Sequence, residues 1–369
     1  MDLPYALDFD EQQWREWLVS VGAPAFTGKQ ILNWLFRQQV NDPALFTNLS
    51  QSLRERLQTS FSWALPEIDC QLSSLDGSEK LLLKTPDNLL TEAVLMPSEN
   101  RVTLCISSQV GCRMGCTFCQ TGKMGFKRDL SSGEILAQII IGNRRLRERG
   151  EERQVTNIVF MGMGEPLDNY EEVVKACRVM IDPAHFGLSK HRVTISTSGL
   201  VPQIYRLARE LPVRLAISLH SADDVRRSSL MPVNRQYPLA ELKKALMEYP
   251  APSRYGVTFE YVMIQGENDS IADAKKLVKF VHGIKAKVNL IPMNHFPGST
   301  LSSSEAESIR AFQQYLSDRS IPAPVRYSRG QDVSAACGQL AAKRAGELNM
   351  SPIQLRRIRK KDEANLDVG

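Results

Sequence analysis

The chain has 369 residues, 43% of them hydrophobic and 24% charged, with 46 Lys and Arg against 41 Asp and Glu for a formal net charge of +5. This balance excludes a disordered chain, a collagen-like chain and a small disulfide scaffold; it permits a polyanionic partner without requiring one. At about 100–200 residues per domain, two or three units are expected. The first residues show no basic stretch leading into an apolar core. No apolar run approaches the roughly 18 residues that span a bilayer. A cytoplasmic protein with no signal peptide and no membrane segment is therefore expected.

Residues 1–65 read as helical, with apolar steps of three and four through Trp14, Trp17, Leu18 and Val21, then Ile31, Trp34 and Leu35, then Leu49, Leu53 and Leu57. All four tryptophans, including Trp63, fall here and predict a small core of their own. Residues 66–100 read as a β-hairpin linker, with strands over 72–75, 80–84 and 91–96 and turns at Asp76-Gly77 and Asp87-Asn88. From residue 101 a rhythm sets in. Strands are predicted over 102–107, 157–161, 192–196, 214–219, 257–264 and 287–292, and helices over 131–149, 170–181, 202–210, 238–248, 270–282 and 304–318. Six β-then-α units predict an α/β core over 101–340, a parallel sheet with helices outside. Periodicity does not decide whether that sheet is open or curled. Residues 341–369 form a basic tail containing Arg356-Arg357-Ile358-Arg359-Lys360-Lys361; a second basic run spans Arg144 to Arg153. Such runs read first as solvated faces and second as phosphate contacts.

Seven cysteines are present, an odd number in a long chain, which argues against a disulfide framework. Three sit within eight residues, as Cys112-Arg-Met-Gly-Cys116-Thr-Phe-Cys119. They follow the first predicted core strand. Chemically loaded loops follow the others: Gly162-Met163-Gly164-Glu165-Pro166, Ser196-Thr197-Ser198-Gly199, Ser218-Leu219-His220, Gln265 to Asp269, and Met293 to Gly298. Parallel strands present their C-terminal ends on one face, so these loops should converge on one cavity. Structural zinc would want a fourth ligand, usually from a second C-x-x-C half, and none stands nearby. A [4Fe–4S] cluster on three thiolates fits better than zinc or redox thiols, and leaves one iron open to a substrate. S-adenosylmethionine, with its amino and carboxylate groups, can occupy that corner and yield a radical.

The C-x-x-x-C-x-x-C loop, with Phe118 before its last cysteine, resembles the radical S-adenosylmethionine superfamily. The match narrows with Gln109-Val110-Gly111-Cys112, Cys119 to Phe126, Met161 to Pro166, Ser218 to His220, Asn294-His295-Phe296-Pro297-Gly298 and Ala335-Ala336-Cys337-Gly338-Gln339-Leu340. Together these resemble the RlmN/Cfr family, strongly over about 70–340 and more loosely before. His295 and Gln331 depart from the family pattern and are expected to touch no reacting group.

The resemblance implies a partial (β/α)6 barrel and methylation of an adenine carbon in 23S ribosomal RNA. In the RlmN branch this is C2, with transfer RNA as a further substrate; in the Cfr branch it is C8. It implies Cys112, Cys116 and Cys119 as cluster ligands. Gly164 and Glu165 would meet the amino group of S-adenosylmethionine, with Ser196, Ser218, Leu219, His220 and Asn294 lining the rest of its pocket. Two S-adenosylmethionine molecules would be used per turnover. Cys337 would take a methyl group, carry it as a methylene radical to the base and form a protein–RNA adduct. Cys105 would release that adduct through a transient disulfide. Glu92 would accept the ring proton, with Cys105 as the competing candidate. An electron donor such as flavodoxin and a monomeric state complete the expectation. The rivals are a radical enzyme on a small molecule or peptide, and a zinc-stabilised RNA-binding protein without turnover.

Overall fold

The computed structural model describes residues 3–296 and 298–340; the basic tail predicted over 341–369 lies outside them. Three helices come first: α1 (Glu11–Ser20), α2 (Thr27–Leu32) and α3 (Gln51–Ser60). α1 begins at a capping box, in which the Asp10 carboxylate accepts from the Gln13 N–H while the Gln13 side chain accepts from the Asp10 N–H. The apolar stripes of these helices close on an aromatic cluster. Trp14 is fully buried, its ring centroid 4.7 Å from that of Phe61 and 5.9 Å from that of Trp63. Trp17 and Trp34 are half-buried against the same core. The expected separate core is not what forms: this cluster runs without a break into the core of the α/β unit. Asp8 explains the join, since its carboxylate accepts from Gly133 N–H at 2.6 Å and its backbone carbonyl accepts from Lys175 Nζ at 2.5 Å.

Among the described residues the main sheet has nine strands: β1 (Glu67–Ser73), β2 (Glu79–Lys84), β3 (Leu90–Ser98), β4 (Arg101–Cys105) and five more. A separate two-stranded ribbon, β5 (Gln109–Gly111) and β6 (Phe126–Asp129), follows β4. The remaining strands of the main sheet are β7 (Asn157–Phe160), β8 (Val193–Thr197), β9 (Arg214–Ser218), β10 (Val257–Met263) and β11 (Ala286–Pro292). Both predicted hairpin turns are present, joining β1 to β2 and β2 to β3. The first strand ends at Ser73, and Leu75, predicted within it, is 79% exposed in the turn. Residues 66–100 are not a detached linker. β3 folds back on β4 with Val94 opposite Cys105, so the segment adds three antiparallel strands to the core sheet.

From β4 onward the pairing is parallel in the order β4-β7-β8-β9-β10-β11. The helices that follow these six strands are α5 (Ser132–Glu148), α6 (Tyr170–Ile181), α7 (Val201–Glu210), α9 (Leu239–Glu248), α10 (Ile271–Val281) and α11 (Ala306–Ser317). All lie within two residues of the predicted helices. Two short helices were not predicted: α4 (Gln120–Lys123), after the cysteines, and α8 (Asp224–Leu230), after β9.

Alternation along the strands sets the two faces of the sheet. Ile158, Ile195, Leu215, Ile217, Phe259, Tyr261, Val288 and Leu290 are buried against the helices. Ser196, Ser218, Glu260 and Ile291 take the other face and line a cavity. The same cavity is lined by the loop after β4 and by β11, the two ends of the parallel order, so the parallel strands curl into a partial barrel. Among the described residues, no helix is long and apolar enough to cross a membrane.

Candidate active site

The three-cysteine loop lies between β5 and β6. Its base is pinched: Cys112 N–H donates to Gly125 O at 3.1 Å, and a Cβ on Gly111 would lie 1.9 Å from that oxygen, so only glycine fits there. Cys119 N–H donates to Cys116 O at 3.2 Å, and Thr117 N–H to Leu230 O at 3.0 Å. All three cysteines line one cavity with an empty volume of about 1040 Å³. Burial raises each thiol's pKa, that of Cys112 to about 12; the charges of Cys119 and Cys112 raise Cys116 further. As thiolates they therefore call for a positively charged occupant. Among the described residues, no three His, Cys, Asp or Glu side chains converge as the ligands of one metal ion do. A cubane makes a different demand, one thiolate for each of three irons, and three cysteines on one loop facing one cavity suit it.

The turn after β7 packs tightly. Gly164 has φ +101°, and a Cβ there would lie 2.6 Å from Gln109 Cβ; a Cβ on Gly162 would lie 2.6 Å from Ile106 O. Glu165 follows, buried in the cavity wall. Its carboxylate accepts from Ser198 N–H at 2.7 Å and Leu167 N–H at 3.0 Å, and its own N–H donates to Gln109 Oε1 at 2.8 Å. Burial raises its pKa, and the two N–H groups oppose that rise. A buried carboxylate so held is a receptor for a cation such as an ammonium.

Ser196, Ser218, His220 and Asn294 also line the cavity. His220 is buried with φ 55°, in the left-handed region. Its Nδ1 accepts from Val262 N–H at 3.0 Å, and its ring meets Phe118 edge-on at 4.5 Å. Burial, with Arg227 second, lowers its pKa to about 3. It is therefore neutral at pH 7, with Nδ1 as acceptor and the proton on Nε2. Leu219 departs from expectation. Its side chain is fully buried in the core rather than in the cavity wall, and only its backbone takes part: its N–H donates to Glu260 O at 3.0 Å.

Two residues were missed. Arg227, on α8, is fully buried; Nε donates to Leu219 O at 3.1 Å, Nη1 to Asn234 Oδ1 at 2.7 Å, and Nη2 to Ser198 O at 2.6 Å and Ser218 O at 3.2 Å. It ties the ends of β8 and β9 together. Burial lowers its pKa to about 10, so it stays charged, and its charge acts on Cys116. Glu260 lines the cavity from β10 and accepts from Asn289 Nδ2 at 2.8 Å. A carboxylate in the alternating run Thr258, Glu260, Val262 was its available signal. Arg227, in Asp-Val-Arg-Arg, looks like any solvated helix.

The loop that carries Cys337 closes over the cysteine loop. Gln120 N–H donates to Gly338 O at 2.8 Å, Thr121 Oγ1 to Leu340 O at 2.6 Å, and Asn294 Nδ2 to Cys337 O at 3.0 Å. Gln331, expected to touch no reacting group, donates to Asn294 Oδ1, a cavity-lining group, at 3.0 Å. Cys337 is exposed, but to the cavity; the enclosing walls and the Glu260 charge raise its pKa to about 11. Cys105, at the end of β4, is buried in an apolar cluster with Met163, Val333 and Ala335. Burial raises its pKa, as do the charges of Cys337 and Glu92, so each of these two groups lies within electrostatic reach of Cys105. Both cysteines are free thiols. Glu92, on β3, is fully buried and pairs with Lys80 Nζ at 3.3 Å; the same Nζ donates to Ser334 O at 3.3 Å, on the Cys337 loop.

Three cysteines above the C-terminal ends of six parallel strands are the arrangement of the radical S-adenosylmethionine class, and residues 106–280 match the radical SAM superfamily. Residues 6–62 match the ribosomal RNA large subunit methyltransferase N-terminal domain. The chain is 44% identical over 335 residues to the dual-specificity RNA methyltransferase RlmN of Syntrophobacter fumaroxidans, covering 91% of this chain and 97% of that protein. It is likewise 44% identical to the protein of the same name from Geotalea uraniireducens, covering 90% and 95%. A crystal structure of a radical SAM methyltransferase from Sphaerobacter thermophilus matches with a TM-score of 0.87 and 44% identity, over 92% of this chain and 100% of that one. The chain belongs to the RlmN family of radical SAM methyltransferases.

Proposed function

We propose that the chain methylates C2 of an adenine in 23S ribosomal RNA, and in transfer RNA as well, through a methyl group carried on Cys337. One placement supports this most. Cys337 faces the cavity of the three cluster-type cysteines on a loop hydrogen-bonded to theirs, and Cys105 lies within electrostatic reach of it.

In this reading Cys112, Cys116 and Cys119 hold the [4Fe–4S] cluster. Gly164 lets the backbone approach closely, and Glu165 receives the ammonium of S-adenosylmethionine. Ser196, Ser218, His220 and Asn294 line the rest of the ligand, with Leu219 contributing backbone only. When bound, the cluster and two S-adenosylmethionine molecules per turnover supply a methyl group and a radical able to take hydrogen from an unactivated C–H bond.

Adenine C2 is electron-poor and its hydrogen is not acidic, so the carbon is delivered from Cys337 sulfur rather than by direct displacement. Release falls to Cys105. Its sulfur attacks Cys337 Sγ, an S–S bond forms, the bond from Sγ to the transferred methylene carbon breaks, and that carbon keeps the electron pair and takes up a proton to become the methyl group on C2. Burial holds Cys105 as a thiol, so it must lose its proton as it attacks. In this reading Glu92, which pairs with Lys80, accepts the ring hydrogen as a proton. An external dithiol must then return two electrons to the disulfide, and a flavodoxin-like donor supplies electrons to the cluster. Residues 1–65 serve as the accessory unit that holds RNA. The chain acts as a cytoplasmic monomer.

Cys105→Ala tests the relay. Incubated anaerobically with S-adenosylmethionine and RNA, it should accumulate a covalent protein–RNA species joined at Cys337. Free methylated RNA with no such species, or a methyl group on C8 alone, would contradict the reading.

A further inference from the structure

The face of the curled sheet that bears Ser196, Ser218 and Glu260 carries a second feature, at the opposite, N-terminal ends of the strands. Strand alternation puts Arg214 on that face two steps before Ala216 and four before Ser218. It puts Lys287 two steps before Asn289 and opposite Thr258, and Arg101 two steps before Thr103. Arg326 joins them from the segment after α11, where Val325 bridges Leu290 and Arg326 N–H donates to Leu290 O at 2.7 Å. Arg101 and Lys287 lie on the two outer strands of the parallel order, yet each charge is felt by the next across the curl. Arg214 is disfavoured as a cation by burial and then by Arg101 and Arg326; Lys287 is disfavoured by burial and then by Arg326, Arg214 and Arg101.

None of these four side chains is in an ion pair within 4.0 Å among the described residues. Glu260 is the carboxylate that acts on Lys287, and Asn289 already hydrogen-bonds it. Four cations facing one carboxylate leave an excess of positive charge, which raises the energy of the folded chain unless an anion joins them. The Arg101 and Arg326 side chains are exposed, and Arg214 and Lys287 are half-buried, so an anion can reach all four. Glu260 joins the cluster to the reacting site, since it lines the same cavity as Cys337, and its charge and that of Arg326 both act on Cys337. Tyr327, the residue after Arg326, is 74% exposed and offers an aromatic face.

We propose that Arg101, Arg214, Lys287 and Arg326 form a phosphate subsite that grips the RNA backbone beside the nucleotide presented to Cys337, with Tyr327 as a stacking surface for a neighbouring unpaired base. The proposal rests on the RNA reading above. A single-stranded or looped segment suits it, since cations tracking phosphates beside an exposed aromatic ring are how such strands are held. The subsite acts on binding and register. It touches no reacting atom.

The test uses the reconstituted full chain and an RNA stem-loop carrying the target adenine. Arg101→Gln with Arg326→Gln, both at exposed positions, should weaken RNA binding about tenfold at 0.1 M salt and lower the salt slope of binding by about one to two contacts. Lys287→Gln should add to both effects. Tyr327→Ala should weaken binding with the slope unchanged. Iron content and S-adenosylmethionine affinity should stay at the parent values, and the melting temperature should not fall. Unchanged RNA affinity and slope in the double variant, with the parent chain binding normally, would overturn the subsite and leave the RNA reading intact. RNA affinity retained while reduction by an acidic electron-donor protein fails would assign the cations to that partner and overturn it too. A parent chain that binds no RNA would instead sink the RNA reading itself.

Discussion

Gly164 and Gly77 both have positive φ, 101° and 81°, but only Gly164 is crowded: a Cβ there meets Gln109 at 2.6 Å, whereas one on Gly77 meets nothing within 4 Å. Gly164→Ala should therefore cost about 1–3 kcal/mol in strain and shift the Glu165 turn; Gly77→Ala should cost less. Isothermal titration with S-adenosylmethionine should show weakened binding for the first variant alone. His220 gives a pH signature. Its folded pKa of about 3 lies below the usual histidine value of 6.5, so the folded state resists protonation. The stability tied to its neutrality is complete above about pH 6.5 and is lost progressively as pH falls toward 3. Denaturation midpoints at pH 5.5 and 7.5 should differ less in His220→Asn than in the parent chain; equal differences would contradict the assignment. The sequence made the cysteine loop and Glu165 legible because their chemistry is concentrated in a few adjacent residues. It hid Arg227, whose role depends on what α8 packs against, and it misplaced Leu219, since a motif does not say which way a side chain points.

At the scale of elements, the Cys337 loop is held by a clamp on the β1–β2 turn. Ser74 Oγ donates to Asp332 Oδ1 at 2.5 Å, Leu75 N–H to Asp332 Oδ2 at 3.1 Å, and Gly330 N–H to Asp76 Oδ2 at 2.9 Å; Arg329 reaches Pro97 O at 2.6 Å. Burial raises the Asp76 pKa, but hydrogen bonds from Ser78 and Gly330 N–H more than offset this and hold it below the usual carboxylate value. The clamp is therefore complete at neutral pH and loosens as acid protonates Asp76. Asp76→Ala should speed hydrogen exchange over residues 328–340 at pH 7, leave the helices α5 to α7 unchanged, and lower the rate of Cys105–Cys337 disulfide formation. Unaltered exchange in that loop would show that the clamp does not hold it. The helices were legible to within two residues because their apolar periodicity is strong. That β1–β3 belong to the core sheet was not, because hydrogen-bond pairing with β4 leaves no mark on hydrophobic pattern. The clamp was equally hidden, since it joins residues that lie far apart in the chain.

At the scale of the whole molecule, one continuous core joins the N-terminal helices to the partial barrel. Trp14 sits at the centre of the aromatic cluster and is fully buried, so Trp14→Ala should cost about 3–5 kcal/mol. Because the core is shared, unfolding followed by circular dichroism and by tryptophan fluorescence should shift together. A variant in which only the fluorescence transition moves would mean that the helices fold apart from the barrel. Six β-then-α units predicted only the parallel sheet; the partial barrel was implied by the family resemblance, and the structure agrees, bringing the cysteine loop that follows β4 and β11 to the same cavity.

The account's central claim is that Cys337 carries the carbon that reaches RNA. The most direct measurement is mass spectrometry of the anaerobically reconstituted chain after exposure to S-adenosylmethionine with an isotopically labelled methyl group, first without RNA and then with it. The account predicts the label on Cys337 sulfur, followed by its transfer to C2 of adenine. Labelled RNA from a Cys337→Ala chain, or a Cys337 that never acquires the label while RNA does, would contradict it.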